Sequence, residues 1–362
     1  MNSRNLLVAL VSLALLQGGW SLSALAATGQ TSATGSKAST ASKAPAKSQV
    51  SKAPAKKAVS KKAVSKKAVS KRAVKSTFRK VSLRRNAAAA RPAADEAALA
   101  LDRLGNPLLR SAAFLVVNGT TGVVILERKS DAVLPIASIT KLMTAMVVLD
   151  AGQSLGEEIV VTADDIDTVK GTGSRLAMGT RLTREEMLQL ALMSSENRAA
   201  SALARHYPGG AGAFVEAMNV KARLIGLGET RFSDSTGLNP DNVSSPRDLV
   251  RMVTAAATYP LIREFSTTSE RHVMIRGRLH RFGNTNSLVR SPDWQIGLSK
   301  TGYIREAGRC LVMQAWLFEQ PLIIVLMDSE GRYTRTADAV RIKKWLEAAG
   351  AQRVAVLEPN GS

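Results

Sequence analysis

An α+β fold, with one antiparallel sheet built from both ends of the folded region and helices between them, is predicted by three features of the chain. Short apolar runs at 112–118 and 123–129 flank Gly119-Thr120-Thr121-Gly122 and read as a hairpin with a longer turn. Near the other end, 309–318 and 321–329 flank Glu319-Gln320 as a second hairpin, preceded by a loosely alternating run at 296–304. Between the hairpins the apolar spacing is helical, at 138–151, 183–206, 211–226 and 245–257. Strands at both ends with helices in the middle bring the two ends into one sheet.

Taken in order, residues 1–26 begin with Arg4, pass through an apolar run at 6–16 and close on Ala24-Leu25-Ala26. That is the pattern of a secretory signal with an A-x-A cleavage site. The run is short for a bilayer span, which disfavours an uncleaved anchor, and no later stretch reaches 18 uninterrupted apolar residues. Export places the working protein outside the cytoplasm. The single Cys310 excludes an internal disulfide, so the core must hold by packing.

The net charge of +21 belongs to the segment that follows. No carboxylate precedes Asp95, and 19 of the 50 Lys and Arg lie before it, leaving 31 to balance 29 acids. The folded part is therefore nearly neutral, without the clustered positive excess that a nucleic-acid groove needs. Residues 27–105 form a basic tail and linker rich in Ala, Lys and Ser, centred on a five-residue repeat from Lys56-Lys57-Ala58-Val59-Ser60 to Lys71-Arg72-Ala73-Val74-Lys75. Five residues advance a helix by about 500°, and an odd period alternates the faces of a strand, so the valines collect on no face of either. Self-repulsion and few large apolar side chains predict disorder. Its role is a solvated tether or attachment to an anionic envelope polymer, such as cell-wall carboxylates or outer-membrane phosphates.

In the first helical stretch Pro135 bars an earlier start, and Ser138 suits an N-cap or first-turn position. Capping does not explain Lys141. Leu142, Met143, Ala145, Met146, Val147, Val148 and Leu149 make this helix apolar on nearly every side, which marks it as buried. A buried ammonium costs several kcal/mol unless it is paired or neutralised. Residues three apart share a helix face, so the amine lies within reach of the Ser138 hydroxyl. A serine is a weak nucleophile until a neighbouring base takes its proton, and a lysine becomes that base when desolvation or a nearby cation lowers its pKa. Thr183-Arg184-Glu185-Glu186 is a capping-box pattern opening the next helix, and an amphipathic stretch at 336–349 ends at Gly350.

Ser138-x-x-Lys141 is followed by Ser195-Glu196-Asn197, where the apolar pattern of 187–193 stops, and by Lys300-Thr301-Gly302 in the alternating run. Each triplet alone is weak; a second Ser-x-Asn occurs at Ser3-Arg4-Asn5. The ordered set of three is specific. With "PIASITKLMTAMVVLDA", "LALMSSENRAASALARHYPGG", "FSDSTGLNPDNVSSPRDL", "GNTNSLV" and "LSKTG", residues 112–349 resemble the penicillin-binding D-alanyl-D-alanine peptidases. Within them the chain is most similar to the D-alanyl-D-alanine endopeptidase (penicillin-binding protein 7) group. The basic tail lies outside the resemblance.

The resemblance implies a β-lactamase/DD-peptidase-like fold, with the active site between sheet and helices, in a catalytic domain at 106–351 followed by a tail at 352–362. It implies a periplasmic serine peptidase acting on peptidoglycan stem peptides, acylated by β-lactam antibiotics and using no metal or other cofactor. Ser138 would form the acyl-enzyme, Lys141 would take its proton and Ser195 would relay a proton to the leaving amine. Asn197 would hold Lys141 and a substrate amide. Lys300 would bind the substrate carboxylate and help lower the pKa of Lys141, and Thr301 would touch the same carboxylate. Gly302 completes the third motif, and the backbone N–H groups of Ser138 and Tyr303 would form the oxyanion hole. His206, His272 and His280 lack His-Glu-x-x-His spacing and read as surface or packing residues.

Three alternatives stand beside the endopeptidase. A class A β-lactamase would need a glutamate-held water, and no Glu-x-x-Leu-Asn element lies between Asn197 and Lys300. Glu196 also departs from the Ser-Asp-Asn of those enzymes. D-alanyl-D-alanine carboxypeptidases commonly carry a further β domain and a C-terminal anchor, whereas here the chain stops about 12 residues after Gly350, an expectation in favour of the endopeptidase. A non-enzymatic wall-binding protein would not need Ser138, Lys141, Ser195 and Lys300 together.

Overall fold

The computed structural model describes residues 100–350. The expected signal sequence, the lysine repeats and the C-terminal tail lie outside the described residues. Five strands form an antiparallel sheet: β1 (Ser111–Asn118), β2 (Val124–Arg128), β3 (Gln295–Ile304), β4 (Gly308–Leu317) and β5 (Gln320–Ser329). Their order is β2-β1-β5-β4-β3. The two ends of the folded region do share one sheet: β1 pairs with β5, Val116 opposite Ile324.

β5 is apolar without alternation because both faces of the sheet are covered. Ile323, Val325 and Met327 join the core beneath the middle helices, while Leu322, Ile324 and Leu326 face a second core. Helix α7, at the C-terminal end (Thr334–Ala349), fills that second core with Ala339, Ile342, Trp345 and Leu346. Each large aliphatic side chain so buried contributes about 1.5–3 kcal/mol. The buried carboxylate of Asp338 fastens α7 to the start of β1, accepting from the backbone N–H of Arg110 (3.0 Å) and Ser111 (2.8 Å) and from Ser111 Oγ (2.7 Å).

On the other face lie α1 (Lys141–Asp150), α2 (Arg184–Met193), α3 (Asn197–Arg205), α4 (Gly210–Leu224), α5 (Pro246–Ala256) and α6 (Pro260–Thr267). α1 is buried from Lys141 to Val148, as its all-round apolar sequence predicts. It opens with a 3-10 turn, Ala137–Thr140, whose N-cap is Ile136 with no side-chain bond, so Ser138 is a first-turn residue and not the cap. The capping box of α2 is present: Glu186 N–H donates to Thr183 Oγ1 (3.1 Å) and Thr183 N–H to Glu186 Oε2 (3.0 Å).

The helical pattern at 183–206 is two helices, interrupted at Ser194–Glu196 with Ser195 at φ +61°. Helix α6 and a hairpin at Glu270–Ile275 and Arg278–Gly283 were not expected from the sequence. Among the described residues no helix is long and apolar enough to cross a membrane.

Candidate active site

The three motifs converge where the edge strand β3 passes the turn that opens α1. Close approach of the two backbones requires glycine twice. A Cβ on Gly302 would stand 2.8 Å from Ile136 O and 3.2 Å from Ser138 N. One on Gly237, at φ +80°, would lie 1.9 Å from Ala137 O, so an alanine there would push the serine turn out of place. Ala137 itself sits at φ +48°, a conformation held by these contacts from both sides.

Ser138 is partly exposed at the mouth of the site, whereas Lys141 behind it has no exposed surface. The Lys141 Nζ lies 2.9 Å from Ser138 Oγ and donates to Asn197 Oδ1 (2.7 Å) and Thr236 O (2.7 Å). Burial lowers its pKa to about 7, against the raising influence of Asp234 and Glu196. Thr236 belongs to the segment "FSDSTGLNPDNV", which Asn242 folds back on the serine turn: its Nδ2 donates to Thr140 Oγ1 (3.0 Å) and Asp234 Oδ1 (2.7 Å).

Ser195 closes the second side. The left-handed backbone at Ser195 turns the chain between α2 and α3, and Lys300 Nζ donates to its Oγ at 2.9 Å. Lys300 is 1% exposed, and its remaining bond on the chain is to Thr301 O (2.9 Å). Burial holds Lys300 well below its ordinary range, assisted by repulsion from Lys141 and Arg335.

Burial is the main cause that brings Lys141 down, and the repulsion between the two amines disfavours a state in which both carry a charge. Thr301 Oγ1 donates to Thr285 Oγ1 (2.6 Å), and Thr285 N–H donates to Met193 O (3.1 Å), so "GNTNSLV" ties β3 to the end of α2. Tyr303 is exposed, its ring under the guanidinium of Arg309 at 4.3 Å.

Of the eight residues singled out from the sequence, Ser138, Lys141 and Asn197 are joined by hydrogen bonds, Ser195 is bonded to Lys300, Gly302 lies against the serine turn, Thr301 is bonded to Thr285, and Tyr303 is exposed beside Arg309. Four contributors were not expected: the carbonyl of Thr236, the carboxylate of Asp234, Thr172 bonded to Asn197, and Arg335. The Arg335 guanidinium donates to Gly302 O (2.8 Å), placing a partly buried further cation beside β3. Its place in the sequence carried no motif. Asp234 and Thr236 lie in "FSDSTGLNPDNVSSPRDL", a stretch that carries the resemblance but whose residues were given no role.

A protein-family model described as D-alanyl-D-alanine carboxypeptidase, of the S11 peptidases, matches residues 102–331. A D-alanyl-D-alanine endopeptidase of Pseudomonas aeruginosa is 47% identical over 250 residues, covering 68% of this chain and 81% of the relative. One of Escherichia coli (strain K12) is 46% identical over 243 residues, 67% and 78% of the two chains. Among solved structures, the DD-transpeptidase of Streptomyces K15 superposes with a TM-score of 0.62 at 26% identity, covering 66% of this chain and 97% of its own. With the family model spanning more than half of its length and two relatives above 40% identity, the chain belongs to the S11 family of serine DD-peptidases.

Proposed function

We propose that the protein is an exported endopeptidase that cuts the D-alanyl cross-link between peptidoglycan stem peptides, working in the periplasm through an acyl-enzyme. The observation that carries this reading is the buried Lys141 amine 2.9 Å from a partly exposed Ser138 hydroxyl. In the reaction Lys141, neutral, takes the hydroxyl proton as Ser138 Oγ attacks the D-alanyl carbonyl carbon. The carbonyl oxygen becomes an oxyanion held by the N–H groups of Ser138 and Tyr303, each worth roughly 3 kcal/mol. As the amide C–N bond breaks, Ser195 hands its proton to the departing amine and takes up the proton held by Lys141, so that the base is neutral again and an ester remains on Ser138. Water, deprotonated by the same base, attacks that ester and restores the serine. Lys300, with Arg335 near it, attracts the carboxylate beside the scissile bond, and Thr301 binds its second oxygen.

A carboxypeptidase presents the same carbonyl to the same serine, and the description of the matching family favours it as the second reading. Digestion of purified muropeptide dimers, with products read by mass, separates the two. Monomers are expected from the endopeptidase, and loss of one alanine from pentapeptide stems from the carboxypeptidase. Benzylpenicillin should add one adduct at Ser138, absent in Ser138→Ala; an unmodified wild-type mass would leave only a wall-binding protein.

The lysine repeats supply a second, independent attachment to an anionic wall or membrane polymer, supported by 19 cations without a counter-charge before Asp95. Deleting residues 27–92 should leave cleavage of small soluble substrates unchanged and reduce retention on isolated walls in low salt, the difference fading as salt rises. Equal retention of the two forms would reduce the tail to a tether.

A further inference from the structure

Asn197 has to offer Lys141 its oxygen and not its amide nitrogen, although the two ends of the side chain have nearly the same shape. What decides the orientation lies in the loop between 165 and 176. Thr172 Oγ1 donates its single proton to Asp167 Oδ2 at 2.6 Å, and the Thr172 backbone N–H binds the same oxygen at 2.8 Å. The other carboxylate oxygen accepts the backbone N–H groups of Val169 (2.8 Å) and Lys170 (2.9 Å). A carboxylate can only accept, so the proton of Thr172 is committed and only lone pairs face Asn197. Asn197 Nδ2 donates to them at 3.0 Å, which leaves Oδ1 for Lys141 at 2.7 Å.

We infer that Thr172, held by Asp167, is a positioning residue that fixes the amide of Asn197 with its oxygen toward Lys141. The inference rests on Lys141 being the base of the proposed reaction. The loop is fastened to the second motif independently of this bond. Ser174 Oγ donates to Glu196 Oε2 (2.6 Å), and Arg198 donates to Leu176 O (2.7 Å). Residue 172 thus stays opposite Asn197 when its hydroxyl is removed, its backbone N–H still bound to Asp167 Oδ2, and the serine variant, which keeps the hydroxyl, isolates the loss of the acceptor. Thr172 is only partly buried and bonds neither lysine nor either serine of the site, so its effect must pass through Asn197.

The consequence is directional. The charged groups facing Lys141 are Asp234 from the segment after α4, Glu196 at the start of α3 and Lys300 on β3. A flipped Asn197 would replace an acceptor of the ammonium with a donor. The charged form of Lys141 would be disfavoured further, while the amine would lose the bond that aims it at Ser138.

The test is the rate of benzylpenicillin acylation of the full-length protein between pH 5 and 9, followed by mass, with Thr172→Val and Thr172→Ser compared with wild type. Thr172→Val, of nearly the same shape, is expected to slow acylation roughly tenfold and to move the acid limb of the profile to lower pH, with thermal stability unchanged. Thr172→Ser, which keeps the lone pairs, is expected to restore both rate and limb. A Thr172→Val profile identical to wild type overturns the inference. So does a slowed variant whose limb has not moved and which serine fails to rescue, since that is the behaviour of a packing residue. A wild-type protein that takes no adduct at all would overturn the acyl-enzyme reading first, and this inference with it.

Discussion

Lys141→Ala should yield a folded protein whose acylation by benzylpenicillin is slower by at least about a thousandfold, the upper part of the range for a lost general base. Folding survives because the substitution removes a desolvated amine along with its bonds. The carbonyl of Thr236 and the Asn197 amide lose a donor, at about 1–3 kcal/mol each, but the desolvation that brings the lysine to about pH 7 is relieved as well. The hydroxyl, in contrast, has no second base: Lys300 bonds Ser195. The wild-type pH profile carries the same information with a definite sign. Lys141 acts as a base only when neutral, and its pKa is lowered to about 7. Acylation should therefore rise with pH through neutrality, about tenfold between pH 6 and a plateau above pH 8. The residual rate of Lys141→Ala should lack that limb. Wild-type-like acylation by the variant, followed by intact mass over time, would remove the lysine from the role of base.

How much of this could be read from the sequence depended on how local the determinants were. The shared sheet and the buried lysine were legible because each is written in a run of neighbours. β5 is a continuous apolar strand, and the helix around Lys141 has no polar face on which an ammonium could escape. Helix α6 and the hairpin after it were not, because their buried positions, Ile262, Phe265, Val273, Ile275 and Phe282, are few and scattered, exposed Met274 and Leu279 blur the alternation, and the join between the two rests on Asn284, whose Nδ2 binds Ser266 O and Thr268 O. The interruption at Ser195 has no glycine or proline to announce it. A serine adopts the left-handed conformation there because Glu196 N–H finds Leu190 O (3.2 Å) and Lys300 holds the hydroxyl, contacts that exist only in the folded chain. Thr172 and Arg335 were missed for the same reason. Their chemistry depends on partners 25 and 33 residues away, and nothing in their own neighbourhoods singles them out.

Replacing Lys300 by alanine should reduce kcat/KM for peptides that carry a free carboxylate beside the scissile bond by roughly 10²–10³, the cost of losing a charged partner in a site shielded from water. A second role competes with this one, because Nζ also holds Ser195 at 2.9 Å. The two separate when the carboxylate of the peptide is converted to an amide. If Lys300 serves the carboxylate, the amidated peptide is a poor substrate of the wild type and the variant cleaves it nearly as well. If Lys300 only orients Ser195, both peptides lose by the same factor, and the carboxylate role is wrong. The protonation requirement adds a sign. Burial and the neighbouring cations hold Lys300 well below its ordinary range, so in the free enzyme it gives up its proton readily, whereas a bound carboxylate favours the ammonium. Binding of the carboxylate peptide should therefore take up a proton and weaken as pH rises. The result is an alkaline limb opposite in direction to that of Lys141, absent for the amidated peptide. The two lysines require opposite protonation states and repel each other, so the limbs belong to the pair, and removing either amine should displace the other's limb toward higher pH.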